Sequence, residues 1–195
     1  MFLARRPSAE QIEVFLRESR ELPLSYSPTG IVNTNSARED VDEATVVIGH
    51  GKAAFERSRA ALMAWQQFDI GWIETFPGHT PAAVGTEVAL LIRHCGFWSL
   101  NGCRVLYSVG GLTDVDRSGF AYGTLTNHAE SGEELFEVFI DPQSEDVLYR
   151  IRAISWPQAT LARVGQPIVR VLQQRFRHHS AAVMARAIRS NGVRG

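Results

Sequence analysis

Residues 134–154 read ELFEVFIDPQSEDVLYRIRAI. On both sides of the polar DPQSED segment, apolar residues recur at a period of two, which is typical of strands that bury one face. Glu137, Arg150 and Arg152 fall on the opposite faces, so we predict that they lie on an outer surface. There an ion pair would contribute less than about 1 kcal/mol. The predicted inner faces carry Phe136, Val138, Ile140, Val147, Tyr149, Ile151 and Ala153.

The same period of two runs through the middle of the chain and predicts an antiparallel meander. Asn101-Gly102 is a favourable tight hairpin turn, because both residues accept a positive φ. A further short strand is predicted over residues 45–48. The meander strands are predicted at 69–75, 85–94, 97–100, 104–109, 119–125, 134–140 and 147–154.

Helices are predicted on both sides of this meander. Ser8 and Gln11 form a capping-box pattern that begins a first helix, and steps of three and four over residues 50–67 indicate a second. A long helix over residues 167–190 carries one apolar face, and the sheet is the only surface large enough to cover that face. We therefore predict an α+β helix-grip fold, in which a curved antiparallel sheet of about six or seven strands wraps around the long C-terminal helix. Residues 1–195 form one domain, with an N-terminal helical extension over about residues 1–44.

Composition and charge bound the function. The formal net charge is −1, which gives no whole-molecule attraction to nucleic acid or to anionic lipid. The first residues lack the apolar run of a signal sequence, and no segment approaches the roughly 20 apolar residues of a membrane span. Cys95 and Cys103 lie in apolar strand regions and are interpreted as small buried residues. We expect a cytoplasmic protein without membrane insertion or nucleic acid binding.

Several motifs together resemble one known family. They are WQQFDIGW at residues 65–72, VGT at 84–86, GFAYGTL at 119–125, His128, and RAIS at 152–155. This pattern is similar to the uncharacterised DUF1990 (UPF0548) family, and the similarity spans nearly the whole chain. The resemblance implies a helix-grip domain related to the START and Bet v 1-like ligand binders, and it implies no reaction. One departure is at Ser180-Ala181-Ala182, where an aromatic residue is expected.

Seven residues are candidates for a ligand site. His128 is either an acid, a base or an anion contact near a cavity mouth, or a turn residue bonded to local backbone. Arg93 and His94 end an apolar run on opposite faces, so one of the two must point inward, either to bind a ligand or to bond backbone carbonyls. Glu133 and Glu134 are interpreted as a solvated strand start. The candidate lining residues are Trp72, Arg93, His94, Tyr107, Tyr122, His128 and Tyr149.

No pattern predicts a metal or a cofactor. The stretch from Gly49 to Lys52 lacks the glycine and the serine or threonine of a phosphate loop, and His94, Cys95 and Cys103 lack the spacing of a zinc site. Neither a serine-hydrolase elbow nor a dinucleotide fingerprint is present.

Three hypotheses about function follow. The first is a binder of an elongated, mostly apolar small molecule, held in a cavity between the sheet and the C-terminal helix. The second is a cyclase- or hydrolase-like enzyme in the same cavity, using Arg93 or His94 together with His128. The third is an interaction module. It would use an arginine stripe at Arg163, Arg170 and Arg177. A solvated helix face is the favoured interpretation of that stripe, because no aromatic residues interleave with the arginines.

Overall fold

A computed structural model of the protein describes residues 1–33, 41–94, 96–110, 115–157 and 166–190. A short 3₁₀ helix over Gln66–Phe68 follows the second α-helix. The α-helices are α1 (Ala9–Ser19), α2 (Lys52–Met63) and α3 (Gln166–Ser190). The strands are β1 (Phe2–Leu3), β2 (Asp42–His50), β3 (Ile73–Phe76), β4 (Glu87–Arg93), β5 (Trp98–Val109), β6 (Arg117–Thr124), β7 (Glu130–Ile140) and β8 (Asp146–Pro157).

The strands form one curled antiparallel sheet in the order β2-β8-β7-β6-β5-β4-β3, with β1 paired to β5. From β3 to β8 every strand pairs with the next one along the chain, which is the predicted meander. β2 returns to the far edge and pairs antiparallel with β8. The α+β helix-grip prediction is confirmed, because α3 packs against the inner, concave face of this sheet.

Aromatic rings pack between the sheet and α3. Phe176 of α3 stacks on Phe68 of the 3₁₀ helix, with ring centroids 5.3 Å apart, and meets Phe136 of β7 edge-on at 6.1 Å. Trp65 packs on Phe120 of β6 at 4.7 Å. Rings of this size bury a large apolar area and so contribute strongly to stability. It holds α3, the 3₁₀ helix and the sheet together.

The departure at residues 180–182 has a structural reason. Ser180 is fully buried, and its Oγ shares a hydrogen bond of 2.8 Å with the hydroxyl of Tyr149 on β8. An aromatic ring at position 180 would take the place of that hydroxyl. Here the ring comes from the sheet and the small residue from the helix.

The prediction of a hairpin at Asn101-Gly102 is wrong, because both residues lie inside β5. Asn101 is buried, and its amide donates to the Leu90 carbonyl at 3.3 Å and accepts from the Ala129 N–H at 3.2 Å. Gly102 is required by close approach, since a Cβ there would overlap Oδ1 of Asn127. Asn101 and Gly102 therefore contact neighbouring segments and do not form a turn.

Other segments cover much of the convex face of the sheet, so the prediction that its charged residues lie on an outer surface is wrong for Glu137, although its predicted cross-strand pair with Arg150 is present. Ile12 and Phe15 of α1 pack on β4 and β5, and residues 24–32 bury Tyr26 and Val32 against the next strands. Glu137 is fully buried, because the guanidinium groups of Arg117 and Arg150 enclose its carboxylate. A buried, doubly paired carboxylate is far costlier to disrupt than an exposed pair.

Gly119 of β6 provides a test of how tightly the sheet is curled. A Cβ at position 119 would overlap the carbonyl oxygen of Phe136 and lie 2.7 Å from Cβ of Glu137. We expect Gly119→Ala to lower the free energy of unfolding by about 2–3 kcal/mol, because backbone atoms of β7 must move. Urea unfolding measures this effect. Gly78→Ala is the control, since its nearest neighbour would be 3.9 Å away; equal stability of the two variants would contradict the proposed crowding.

Candidate functional site

The concave face carries a carboxyl group paired with a tyrosine. Glu134 of β7 lies directly opposite Tyr122 of β6, and the Tyr122 hydroxyl donates to Oε2 of Glu134 at 2.5 Å. Both residues lie on the face that holds Phe120 and Phe136. Desolvation raises the pKa of Glu134 to about 7, the hydrogen bond from Tyr122 partly opposes that rise, and the charge of Glu130 adds to it. At neutral pH the carboxyl is therefore divided between its two protonation states.

Glu130 is a second acid of the same strand, four residues before Glu134. Desolvation raises its pKa, while hydrogen bonds with Gln173 of α3 and Ser155 of β8 lower it. Within the described part of the chain, neither Glu130 nor Glu134 forms an ion pair with a basic side chain. Two acids without a cation are unusual so deep in a protein, because an unpaired charge there is costly.

The surroundings of these acids are only partly covered. Glu130 and Glu134 keep some accessible surface, as does Ala153, which is paired with Glu134 across β7 and β8. Ile92 on the same face of β4 is also half-buried. Phe176 closes the neighbouring part of the concave face. We call the partly open region around Glu130, Glu134 and Ala153 the concave recess.

Trp72 and Tyr149 lie on the concave side of the sheet and hold α3 in place. The indole N–H of Trp72 donates to Nδ1 of His179 at 3.2 Å, and the guanidinium of Arg175 lies 5.3 Å from the Trp72 ring. Tyr149 is 1% exposed and bonded to Ser180. Among the predicted lining residues, Tyr122, Trp72 and Tyr149 are therefore brought together on the concave side.

Arg93 and His94 separate at the end of β4. Arg93 is exposed and continues the convex face of that strand. The ring of His94 stacks on Phe97 at 4.4 Å, and its Nε2 shares a hydrogen bond of 2.8 Å with Ser99. Ser99 also accepts from the amide of Asn101 at 2.9 Å, so His94 begins a polar chain that runs along β5. Burial lowers the pKa of His94.

Tyr107 does not line the concave face. A bulge between Val105 and Tyr107 shifts the register with β6 and turns Tyr107 to the convex side. There its hydroxyl donates to Glu133 at 2.6 Å, and the Tyr26 hydroxyl donates to the same carboxylate at 2.6 Å. The Gly30 N–H adds a third bond at 2.8 Å. Desolvation raises the pKa of both tyrosines.

Glu133 and Glu134 are not a solvated strand start, and that interpretation is wrong for both. Glu133 is 2% exposed under the N-terminal segment, and Glu134 faces the recess. The signal for Glu134 was present in the sequence, because a period of two places it on the same face as Phe136 and Val138. For Glu133, no local sequence pattern could predict its two tyrosine partners, Tyr26 and Tyr107, which are 107 and 26 residues away in the chain.

His128 takes the local alternative. Its Nδ1 accepts the N–H of Glu130 at 2.9 Å within the turn between β6 and β7. Desolvation lowers its pKa to about 4, so the ring is neutral at physiological pH. His128 therefore has a local role in the turn and does not bond the carboxyl groups of Glu130 and Glu134, although it accepts the backbone N–H of Glu130.

The remaining sequence predictions concern metals, membranes and the arginine stripe. In the described ranges, no cluster of three or more His, Cys, Asp or Glu side chains is placed to hold a metal ion. Those ranges also contain no helix both long and apolar enough to cross a membrane. Cys103 is fully buried, whereas Cys95, Arg163 and the side chain of Arg170 lie outside the described residues. Arg177 forms an ion pair with Asp42 of β2.

Comparison with known proteins gives the family. The model of a domain of unknown function, DUF1990, matches residues 25–183. The chain belongs to the DUF1990 family. A UPF0548 protein of Dictyostelium discoideum is 32% identical over 210 residues, which cover 98% of this chain and 97% of the relative. A UPF0548 protein of Deinococcus radiodurans is 34% identical over 200 residues, covering 96% and 98%.

Solved structures show that this DUF1990 protein shares the Bet v 1-like helix-grip fold. A norcoclaurine synthase mutant of Thalictrum flavum, in complex with a transition state analogue, has a TM-score of 0.52 at 8% identity. The match covers 77% of this chain and 94% of that one. TTHA0849 of Thermus thermophilus also gives 0.52, at 10% identity, covering 78% and 99%. At such identities the likeness concerns the fold.

The pKa of Glu134 predicts a pH dependence of stability. Between its ordinary value of 4.5 and about 7, the folded protein holds a proton at Glu134 that the unfolded chain has released. The free energy of unfolding therefore falls as pH rises through this window. We expect Glu134→Gln to remove a loss of about 1–3 kcal/mol, measured by urea unfolding across the same pH range.

His128 changes the free energy of unfolding with pH in the opposite direction, so the effect of Glu134 has to be read from the difference between wild type and Glu134→Gln. Its pKa falls from 6.5 to about 4 on folding, which makes stability rise with pH over that interval. Glu134→Gln leaves this contribution in place. Glu13→Gln, at an exposed position of α1, is the matched control and should reproduce the wild-type profile. An unchanged profile in Glu134→Gln would show that Glu134 is not desolvated.

Proposed function

We propose that this protein binds an elongated, mostly apolar small molecule in the concave recess. The observation that carries the proposal is the Glu134 carboxyl, which faces the recess with a single hydroxyl partner. A carboxyl group has room for about four hydrogen bonds, so Glu134 retains unused capacity. One polar end of a ligand would use that capacity, and the apolar body would lie against the aromatic residues nearby.

The contrast with the convex face supports this proposal. Glu133 receives three hydrogen bonds and Glu137 two guanidinium groups, so both are satisfied by the protein itself. Among the residues that the structure describes, Glu134 has only the Tyr122 hydroxyl as a hydrogen-bond partner. A structural neighbour, norcoclaurine synthase, has been solved in complex with a transition state analogue.

A second candidate function is proton-transfer catalysis in the same recess, and the pKa of Glu134 near 7 favours it. A group with this pKa both accepts and releases protons readily at neutral pH. The hypothesis that uses Arg93 or His94 together with His128 receives no geometric support. Arg93 is exposed, His94 is bonded to Ser99, and His128 is bonded in its turn. If the recess is catalytic, native mass spectrometry of purified Glu134→Gln should find a bound molecule whose mass differs from that in wild type.

Binding is tested with two fluorescent probes, the neutral Nile red and the anionic anilinonaphthalenesulfonate. Deprotonation of Glu134 places a negative charge beside the probe, so we expect the affinity for the sulfonate to fall about threefold to tenfold as pH rises through about 7. The affinity for Nile red should change little. Glu134→Gln should lose most of the pH dependence that the sulfonate shows.

A variant that fills the recess provides the control. Ala153→Phe places a ring opposite Glu134 and should weaken both probes about tenfold or more, because the space is occupied. Ala83→Phe, at an exposed loop position, is the matched substitution and should bind like wild type. Equal binding by Ala153→Phe and wild type would refute a ligand site in the recess.

A further inference from the structure

Gln67 is the most poorly satisfied polar side chain in the described residues. It lies in the 3₁₀ helix, is fully buried, and neither its amide nitrogen nor its amide oxygen has a hydrogen-bond partner. Buried polar atoms are almost always paired, because an unpaired donor or acceptor loses its bonds to water without replacement. Here a donor and an acceptor of one side chain are both left over.

A second local rule is broken at the same turn. Trp65, two residues before Gln67, has a φ of 61° in the left-handed region, which bulky residues rarely adopt. The surroundings hold it there, since its indole N–H donates to the Thr80 carbonyl at 2.8 Å and its ring packs on Phe120. Such backbone strain concentrates at functional sites. The turn that carries it keeps Gln67 inside the protein instead of exposing it.

The position of this turn connects it with the recess. Phe68, the next residue after Gln67, has its ring 6.4 Å from that of Tyr122, which bonds Glu134. Phe68 also stacks on Phe176 of α3. The segment that carries the unpaired Gln67 amide and the strands that carry the Glu134 carboxyl are thus joined by the contact between Phe68 and Tyr122.

We propose that Gln67 is the second polar anchor for the ligand, and that it binds a neutral group presenting a donor and an acceptor side by side, as a carboxamide or lactam does. This inference rests on the proposed function and adds the chemistry of the far end of the molecule. A side-chain amide pairs with another amide through two parallel hydrogen bonds. Both orphaned atoms are satisfied at once by that pairing. In the motif WQQFDIGW, the ligand-binding residue Gln67 would then stand between the aromatic residues Trp65 and Phe68.

The test compares two probes that differ in one group. Phenylhexanamide carries a terminal amide, and the matching methyl ketone has a methyl group in place of the amide nitrogen. Calorimetry on the wild-type protein should show the amide binding about tenfold tighter, because with the ketone the buried Gln67 amide oxygen has no donor and stays unpaired. In Gln67→Met the two probes should bind within about twofold of each other.

Stability provides a readout that a structural role would move in the opposite direction. Without ligand, Gln67→Met should unfold at a higher urea concentration than wild type, because two unpaired polar atoms are replaced by an apolar chain of similar size. Gln66→Met, at the exposed neighbouring position, is the control and should change neither the stability nor the amide preference.

Three outcomes would overturn this inference: a lower unfolding midpoint for Gln67→Met, no preference for the amide in wild type, or a preference that persists in Gln67→Met. If the sulfonate probe still responds to pH through Glu134, only the role of Gln67 fails. If neither the amide nor the fluorescent probes bind at all, the proposed function fails with it.

Discussion

The packing of Phe176 between the 3₁₀ helix and the sheet is the contact on which the rest of the structure depends. Phe176 stacks on Phe68 and meets Phe136 edge-on, so one ring joins three separate parts of the chain. Hydrophobic burial of this kind is non-directional, and it fixes α3 over the sheet without requiring a close fit along the whole helix. The helix can therefore be held firmly at this point while the neighbouring part of the concave face stays partly uncovered.

Three glutamates of a single strand illustrate how environment separates structural groups from functional ones. Glu133 is satisfied by two tyrosines and a backbone N–H, and Glu137 by two arginines. Glu134 has one hydroxyl and lies near the like charge of Glu130. All three are largely or fully removed from water, so burial by itself does not distinguish them. The difference lies in how many partners the protein supplies, and it singles out Glu134.

Much of the fold followed from periodicity, because alternation of apolar residues is imposed by the strand itself. The meander, the capping box at Ser8 and the long final helix were all accessible in this way. Contacts distant in sequence were not. Asn101-Gly102 has the local chemistry of a turn, yet it lies in the middle of β5 because Asn127 and Ala129 approach from another segment.

The candidate site was less predictable than the fold for the same reason. Alternation along the strand correctly predicted the side of the sheet on which Tyr122 lies, and the same pattern predicts the side of Glu134. The position of Tyr107 did not follow from alternation, because a bulge has no reliable signal in a single sequence. Nor could the sequence reveal that Gln67 is buried without hydrogen-bond partners, since that depends on contacts distant in the chain.

The bulge before Tyr107 makes the two sides of the sheet sensitive to chain length in a way that side-chain chemistry is not. Along a strand, alternate residues lie on opposite sides of the sheet. The extra residue of the bulge in β5 reverses this alternation for the rest of the strand. A one-residue deletion there would move the phenol of Tyr107 to the other side of the sheet and leave Glu133 with two of its three donors, although no chemical group had been altered. Among related sequences, gaps within this strand would therefore be more informative about divergence of role than substitutions are.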